Sequence, residues 1–143
     1  AKGIANGFPV GAIIISPKIP AKSGMLGTTF GGSHLACAAA IAVADVIKAE
    51  NLVENARVMG EKIVEAIKGT SGITDIRGRG LMIGIDLTVP QADFRKVLRE
   101  KHHIMTGLTG KYTLRLLPPL VIGDREVERF AEAFRATALE LGM

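Results

Sequence analysis

The stretch after residue 51 switches between helical and strand-like spacing of its apolar residues, and these switches constrain the fold more than any other feature. The first segment is a helical stripe that ends in a glycine, at Leu52, Ala56, Met59, Ile63, Ile67 and Gly69. Further on, strands are predicted at residues 73–77, 81–87 and 112–117, and helices at residues 94–101 and from Asp124 onward. A chain that alternates in this way folds as α/β or α+β.

Two of these elements carry further local signals. Asn51 followed by Glu54 resembles a capping box, which predicts that the first helix of this stretch begins there. In the last predicted strand Leu114 and Leu116 share one face, because side chains alternate along a strand. We therefore expect Arg115 to point away from the apolar core.

The first 50 residues carry a different pattern. Residues 10–16 form a continuous apolar run rich in isoleucine, which predicts a buried strand of a parallel sheet that we do not expect this chain to contain. Ser33 is a suitable N-cap for a helix over residues 33–50. Because that helix is apolar on nearly every face, we expect it to be buried, with Cys37 as one of its small buried residues.

Composition excludes several classes of protein. The chain has 143 residues and a net charge of +4, but its 18 Lys and Arg residues are scattered and it offers one Tyr and five Phe for base stacking. We therefore predict no nucleic-acid partner. No apolar run reaches the roughly 20 residues of a membrane helix, so no membrane partner is predicted. The single cysteine allows no internal disulfide and favours the reducing cytoplasm.

Three features could carry chemistry, and each has a structural alternative. Lys2 lies in a Gly-rich segment, where a lysine can serve as a Schiff-base nucleophile or can simply carry surface charge. Residues 27–32 precede a predicted helix N-terminus, which suits a phosphate, although a flexible linker has the same composition. Arg115 lies in an apolar sequence, so its guanidinium needs a carboxylate or phosphate, in a ligand or in a structural ion pair. The histidines lack metal-ligand spacing, so no metal is predicted.

Four motifs, taken together and in chain order, resemble those of a known family. They are Ala1-Lys2-Gly3 with Gly7-Phe8-Pro9-Val10-Gly11-Ala12, Gly27-Thr28-Thr29-Phe30-Gly31-Gly32, Arg77-Gly78-Arg79-Gly80-Leu81-Met82 and Arg115-Leu116-Leu117-Pro118-Pro119-Leu120. With them the sequence resembles the class III (ornithine-type) pyridoxal-phosphate aminotransferases, most closely the N-acetylornithine and N-succinylornithine aminotransferases. It departs from the family at Ser33-His34, where Asn-Pro is common.

The resemblance implies a fold class, a domain organisation and a cofactor. The fold is α/β, that of the fold type I pyridoxal-phosphate-dependent transferases. Residues 1–50 would be the end of the large, parallel-sheet, cofactor-binding domain together with the linking helix. Residues 51–143 would be the small C-terminal α+β domain. The implied cofactor is pyridoxal 5′-phosphate.

The resemblance also assigns roles to single residues. Lys2 is implied to be the catalytic lysine and the covalent attachment point of the cofactor. Thr29 would bind the cofactor phosphate, reaching into the neighbouring active site of a homodimer. Thr28 would lie near the substrate side chain. Arg115 would hold a carboxylate of the amino-acid or 2-oxo-acid substrate.

The activity that the resemblance implies is transfer of the terminal amino group of N-acetylornithine or N-succinylornithine to 2-oxoglutarate, in arginine biosynthesis. Because the candidate active-site lysine is the second residue, we expect the chain to be the C-terminal portion of a larger enzyme and to be inactive alone. Two alternatives stay open. One is an aminotransferase for ornithine, 4-aminobutyrate or another ω-amino acid, and the other is a non-catalytic folding or dimerisation module.

Overall fold

The chain divides into two compact units, Ala1–Asn51 and Leu52–Met143, in a computed structural model. The structure describes residues 3–20, 22–25 and 27–143. The assignment of residues 1–50 and 51–143 to a large and a small domain of a larger enzyme stays a prediction.

The second unit is a two-layer α/β sandwich. In the described residues its elements are, in chain order, α2 (Leu52–Ile67), β1 (Ile73–Arg79), β2 (Met82–Leu87), α3 (Gln91–His102), β3 (Gly107–Thr109), β4 (Thr113–Leu116) and α4 (Asp124–Glu140). The strands form one antiparallel sheet in the order β1-β2-β4-β3. The strand at 107–109 lies outside the predicted set, because three residues are too few to display an alternating pattern.

The core of this unit lies between one face of the sheet and the three helices. The predicted α2 stripe is confirmed at Leu52, Met59, Ile63 and Ile67, which are buried. Two central strands contribute alternate residues to the same core: Ile83, Ile85, Leu87, Leu114 and Leu116. Helices α3 and α4 add aromatic rings that pack at tilted angles, with Phe134 at 4.7 Å from Phe94 and 5.7 Å from Phe130 between ring centroids. Because only one face of each element is apolar, the opposite face of the sheet is left for polar residues.

A close backbone approach fixes helix α2 against the β1–β2 turn. Gly60 is buried in the middle of α2, and a Cβ there would collide with the carbonyl oxygen of Gly80. Gly80 itself has φ +55, a left-handed conformation that glycine adopts without strain. Gly80 therefore serves the packing of the helix on the hairpin as well as the reversal of the chain, whereas Gly78 and Arg79, which the sequence placed in the turn, belong to β1.

The predicted capping box at Asn51 and Glu54 is wrong. Asn51 has a left-handed φ of 51°, which is unlike the extended backbone of an N-cap. The Glu54 carboxylate accepts hydrogen bonds from Arg57 at 2.6 to 3.1 Å. A guanidinium one turn along the helix outcompetes a backbone N–H as a partner for this exposed carboxylate, since a charged donor makes the stronger hydrogen bond.

The first unit contains one helix in its described residues, α1 (His34–Ala49). The predicted N-cap is confirmed, because the Ser33 hydroxyl accepts a hydrogen bond from the Ala36 amide at 3.4 Å. The expected burial is wrong: Ala36 is the buried residue of this helix, Leu35 and Ile41 are 67% and 60% exposed, and Cys37 is exposed. An all-round apolar helix needs neighbours on every side, and this unit does not supply them among the described residues.

Residues 10–16 form no strand within the described chain, and their place in a parallel sheet outside it stays a prediction. The backbone there has no strand pairing, and the side chains of Ile13, Ile14 and Ile15 are 76%, 100% and 47% exposed. A buried strand requires partners on both edges and cover on both faces. The described part of the chain pairs strands only within the antiparallel sheet of the second unit.

Candidate functional site

The polar face of the sheet carries a row of aligned residues that centres on Arg115. In strand β4 Arg115 pairs with Gly84 of β2 on one side and with Gly107 of β3 on the other. Gly84 in turn pairs with Arg77 of β1. The row is therefore Arg77, Gly84, Arg115 and Gly107. Gly84 separates the two arginines and Gly107 lies on the far side of Arg115, so neither neighbour of Arg115 in the row has a side chain.

The first of these guanidinium groups is neutralised by carboxylates. Arg77 donates through Nη1 to Asp75 at 2.8 Å and through both Nη atoms to Asp86, with Nη2 to Oδ1 at 3.1 Å. The Thr113 hydroxyl donates to the same Asp86 carboxylate. The Arg77 hydrogen bonds, followed by that of Thr113, hold the pKa of Asp86 below its ordinary value. The two carboxylates in turn raise the pKa of Arg77.

Arg115 differs from Arg77 in that no carboxylate accepts from it. Within residues 3–20, 22–25 and 27–143, no hydrogen bond or ion pair of the Arg115 side chain is formed. The alternation predicted around it is confirmed, since Leu114 and Leu116 are buried and Arg115 is exposed. A structural ion pair of Arg115 is therefore excluded within the described residues alone, and the guanidinium is available to an anion from outside this part of the chain.

The candidate phosphate loop lies in the first unit, immediately before helix α1. Thr28 and Thr29 are exposed, and the Gly31 amide donates to the Thr28 carbonyl oxygen at 3.4 Å to close a turn. A Cβ at Gly31 would meet the methyl carbon of Thr28, so a larger residue there would displace the exposed Thr28 side chain. Gly32 has φ +72, which leads the chain into the N-cap Ser33.

This loop fits the phosphate of a pyridoxal cofactor. It presents two exposed hydroxyls next to the N-terminus of a 16-residue helix whose first turn holds no acidic residue. Free N–H groups and the helix dipole at such a terminus favour an anion. The phosphate role of Thr29 and the substrate role of Thr28 stay predictions.

Lys2, the predicted cofactor attachment point, lies outside the described residues. Of the other predicted site residues, Thr28 and Thr29 belong to the unit Ala1–Asn51 and Arg115 belongs to the unit Leu52–Met143. The threonines are brought together in one turn, and Arg115 is placed on the sheet of the other unit.

The sequence reading missed the neighbours of Arg115. Asp86, Thr113 and Gly107 share its sheet face, and none was singled out as a functional candidate. The sequence did contain a signal for Asp86 and Thr113. Both alternate with the buried residues of their strands, which places them on the polar face with Arg115. Gly107 carries no such signal, because a three-residue strand has no period to read.

An open groove of about 610 Å³ in the second unit adjoins this row, because Gly107 is one of its lining residues. The rest of its lining is mostly apolar and comes from residues around β3, the end of β4 and α4, and Arg115 is not among its lining residues in the described chain. The described residues hold no group of three or more His, Cys, Asp or Glu that could bind a metal ion. None of the helices in the described residues has both the length and the apolar character needed to cross a membrane.

The chain was compared with families, curated proteins and solved structures. The model of the family described as aminotransferase class III matches residues 1–138. Acetylornithine aminotransferase of Methanosarcina mazei is 39% identical over 90% of this chain and 33% of its own length. Acetylornithine aminotransferase of Corynebacterium efficiens is 38% identical over 99% of this chain and 35% of its own length. The chain thus spans about a third of the length of these relatives.

Solved structures give the same family with a close match of the fold. Ornithine aminotransferase of Toxoplasma gondii superposes with a TM-score of 0.74 at 30% identity, over 85% of this chain and 31% of that one. Acetylornithine aminotransferase of Elizabethkingia anophelis superposes with a TM-score of 0.73 at 32% identity, over 84% and 33%. These matches confirm the predicted α/β class of the fold type I transferases. The family depends on pyridoxal 5′-phosphate, and this chain belongs to the class III aminotransferases.

Proposed function

We propose that the chain is the C-terminal portion of a pyridoxal-phosphate-dependent aminotransferase. The enzyme moves the terminal amino group of N-acetylornithine or N-succinylornithine to 2-oxoglutarate, in cytoplasmic arginine biosynthesis. The proposal is supported by relatives named acetylornithine aminotransferase at 38–39% identity over 90% or more of this chain. Residues 1–50 belong to the large domain of that enzyme and residues 51–143 form its small domain.

The observation that carries this proposal is the contrast between the two arginines of one sheet row. Arg77 is saturated by Asp75 and Asp86, whereas no carboxylate of the described chain pairs with Arg115. A guanidinium presents a planar fork of donors that matches a carboxylate, and both substrates of the proposed reaction carry carboxylates. Arg115 therefore binds a substrate carboxylate.

The remaining roles are assigned to the first unit. Thr29 donates its hydroxyl to the cofactor phosphate at the N-terminus of α1, in the active site of the second subunit of a homodimer. Thr28, in the same turn, borders the substrate side chain. Lys2 attaches the cofactor and, once released by the substrate amine, carries the proton to and from the substrate carbon that bears the amino group. The cofactor, when bound, supplies the electron sink that makes this carbon acidic.

The test uses the full-length enzyme that contains this chain, with N-acetylornithine and 2-oxoglutarate as substrates. Arg115→Ala should lower kcat/KM by about 10- to 100-fold, since a charge-assisted hydrogen bond contributes roughly 1.5–3 kcal/mol. Arg125→Ala is the matched control, because Arg125 is an exposed arginine on α4. Equal rates for the Arg115 and Arg125 variants would contradict the role of Arg115.

The expected inactivity of the 143-residue chain alone has its own test. The chain is mixed with pyridoxal 5′-phosphate, N-acetylornithine and 2-oxoglutarate, and glutamate formation and the absorbance of covalently attached cofactor are followed. We expect neither signal, because the chain spans only about a third of the length of its aminotransferase relatives. Turnover by the isolated chain would contradict this.

A second candidate is an ornithine aminotransferase, favoured by the TM-score of 0.74 with the Toxoplasma gondii enzyme of that name. Steady-state rates with N-acetylornithine and with free ornithine separate the two candidates. A higher kcat/KM for free ornithine than for N-acetylornithine would replace the lead proposal. The same assay with 4-aminobutyrate tests whether another ω-amino acid is the preferred substrate.

A candidate of another class, a non-catalytic folding or dimerisation module, is favoured by the continuous buried core of Leu52–Met143. Sedimentation velocity of the chain reports whether it forms dimers by itself. A full-length protein that dimerises and has no transaminase activity with any of these amino acids would support the module.

A further inference from the structure

The environment of Arg115 is unsymmetrical although both of its strand partners are glycines. An ideal Cβ built on Gly107 would lie 3.1 Å from Nε, 3.2 Å from the backbone carbonyl oxygen and 3.4 Å from Nη2 of Arg115. These separations are tighter than normal van der Waals contact. The guanidinium therefore rests on the backbone of β3, in the place that a side chain at position 107 would occupy.

Gly84, on the other side of Arg115, has a different environment. The atoms nearest to a Cβ built there are Cγ2 of Thr113 at 3.5 Å and Cγ and the carbonyl oxygen of Arg77 at 3.8 Å. All three distances are ordinary contacts, so an alanine fits without displacing its neighbours. Neither glycine has a left-handed φ, which means that alanine meets no backbone strain at position 84 or position 107.

We propose that Gly107 is a positioning residue for the carboxylate contact of Arg115. The missing side chain lets the guanidinium lie against β3 in a fixed orientation before the substrate arrives. A bidentate contact between a guanidinium and a carboxylate requires the two planar groups to be aligned, so preorganising the fork favours binding. A methyl group at position 107 pushes Nε and Nη2 off the strand and misaligns the fork. This inference rests on the proposed function, in which Arg115 binds a substrate carboxylate.

The first measurement follows the guanidinium itself in the 143-residue chain. The Nε–H resonance of Arg115 is recorded by nitrogen-15 NMR in the wild type, in Gly107→Ala and in the matched control Gly84→Ala. We expect a shifted resonance in Gly107→Ala and an unchanged one in Gly84→Ala. An Arg115 resonance that is the same in all three proteins would overturn the inference.

The second measurement is binding and kinetics in the full-length enzyme, with glutarate as an unreactive dicarboxylate probe. Gly107→Ala should weaken glutarate and raise KM for 2-oxoglutarate by about tenfold, as expected for the loss of one charge-assisted hydrogen bond, with a smaller change in kcat. Gly84→Ala should remain within about twofold of the wild type. Equal losses in the two alanine variants would indicate a disturbed sheet and would overturn the inference.

A double-mutant cycle with Arg115→Lys separates positioning from folding. A lysine ammonium has no planar fork to align, so Gly107→Ala should add little to the loss already caused by Arg115→Lys. If Gly107→Ala still weakens glutarate binding tenfold in the Arg115→Lys protein, the loss comes from a disturbed strand and the positioning role is refuted. If Arg115→Ala binds glutarate as well as the wild type, the proposed function of Arg115 fails. If Arg115→Ala loses binding and Gly107→Ala keeps it, only the present inference fails.

Discussion

The two compact units use apolar residues in opposite ways. In Leu52–Met143 the apolar residues lie on one face of each helix and strand, and Ile85 and Phe134 are fully buried. In Ala1–Asn51 the apolar residues are continuous along the chain, and Ile14 is fully exposed. The difference shows that hydrophobic content alone does not bury a segment. A one-sided pattern can be satisfied by the neighbouring elements of one unit, whereas an all-round pattern needs cover that the described residues of the first unit do not provide.

The largest expected contrast between the units is in amide hydrogen exchange. Amides of the central strand β2 should open only with global unfolding, which for a typical domain costs about 5–15 kcal/mol. Amides at residues 10–16 should exchange near the rate of an unstructured peptide, because no strand pairs with them. Mass-spectrometric exchange on the 143-residue chain makes the measurement, and equal protection of the two segments would remove the contrast.

Truncation of a buried aromatic residue is the next largest effect. Phe134→Ala should lower the free energy of unfolding by about 3–5 kcal/mol, because the ring packs between Phe94 and Phe130 and leaves a cavity. Ile14→Ala, the control in the other unit, should change it by less than about 0.5 kcal/mol. Urea unfolding followed by circular dichroism measures both, and a large loss in the Ile14 variant would show that this unit also has a core.

Gly60→Ala sharpens the comparison within the packed unit. Alanine favours a helix over glycine by about 1 kcal/mol, but its methyl group would collide with the Gly80 carbonyl oxygen. We expect a net loss of about 1–3 kcal/mol in unfolding free energy, as for an overpacked core. Gly84→Ala, where the new methyl makes ordinary contacts, is the matched control. A stabilised Gly60→Ala protein would show that the helix moves away from the turn without cost.

The smallest expected effect is a pH dependence at the polar face of the sheet. Hydrogen bonds from Arg77 and Thr113 hold the pKa of Asp86 below its unfolded value. The resulting stability is fully present above the unfolded value near pH 4 and is lost as the pH falls through the lower folded pKa. Asp86→Asn should therefore be less stable than the wild type at pH 7, and the gap should close toward pH 3.

Urea unfolding at pH 7, 5 and 3 measures this gap for Asp86→Asn. Glu128→Gln, a change at an exposed carboxyl on α4, is the control and should show no such closing gap. A difference between Asp86→Asn and the wild type that stays constant from pH 7 to pH 3 would refute the linkage to the Asp86 carboxyl.

The packed unit was largely predictable from the sequence because its pattern is local. The stripe from Leu52 to Ile67 and the pair Leu114 and Leu116 give the helix and strand faces directly, and with them the outward direction of Arg115. The hydrogen bonds of Asp86 were not predictable, since they join β1, β2 and β4 through a register that no single strand contains. For the same reason the role proposed for Gly107 was not predictable, since it depends on the pairing of Gly107 with Arg115.

The first unit was less predictable because its pattern refers to neighbours beyond its own residues. Residues 10–16 have the composition of a buried strand, but composition does not state which strand will pair with them. Ser33 was predictable as an N-cap, since a cap is settled within one helical turn. The candidate site also combines local and non-local information. The motifs identify Thr28, Thr29 and Lys2 from the local sequence, whereas the chemical roles of these residues depend on groups outside their own short segments.

Residues 10–16 also affect how the chain behaves at high concentration. The segment Val-Gly-Ala-Ile-Ile-Ile-Ser is exposed, uncharged and free of proline, the composition from which cross-β fibrils nucleate. By contrast, the edge strand β1 carries Asp75, Arg77 and Arg79, and such charges oppose edge-to-edge association. Fibril growth should therefore begin at residues 10–16 with the folded sheet intact. Protein concentration then limits the shelf life of the purified chain more than the melting of its core does.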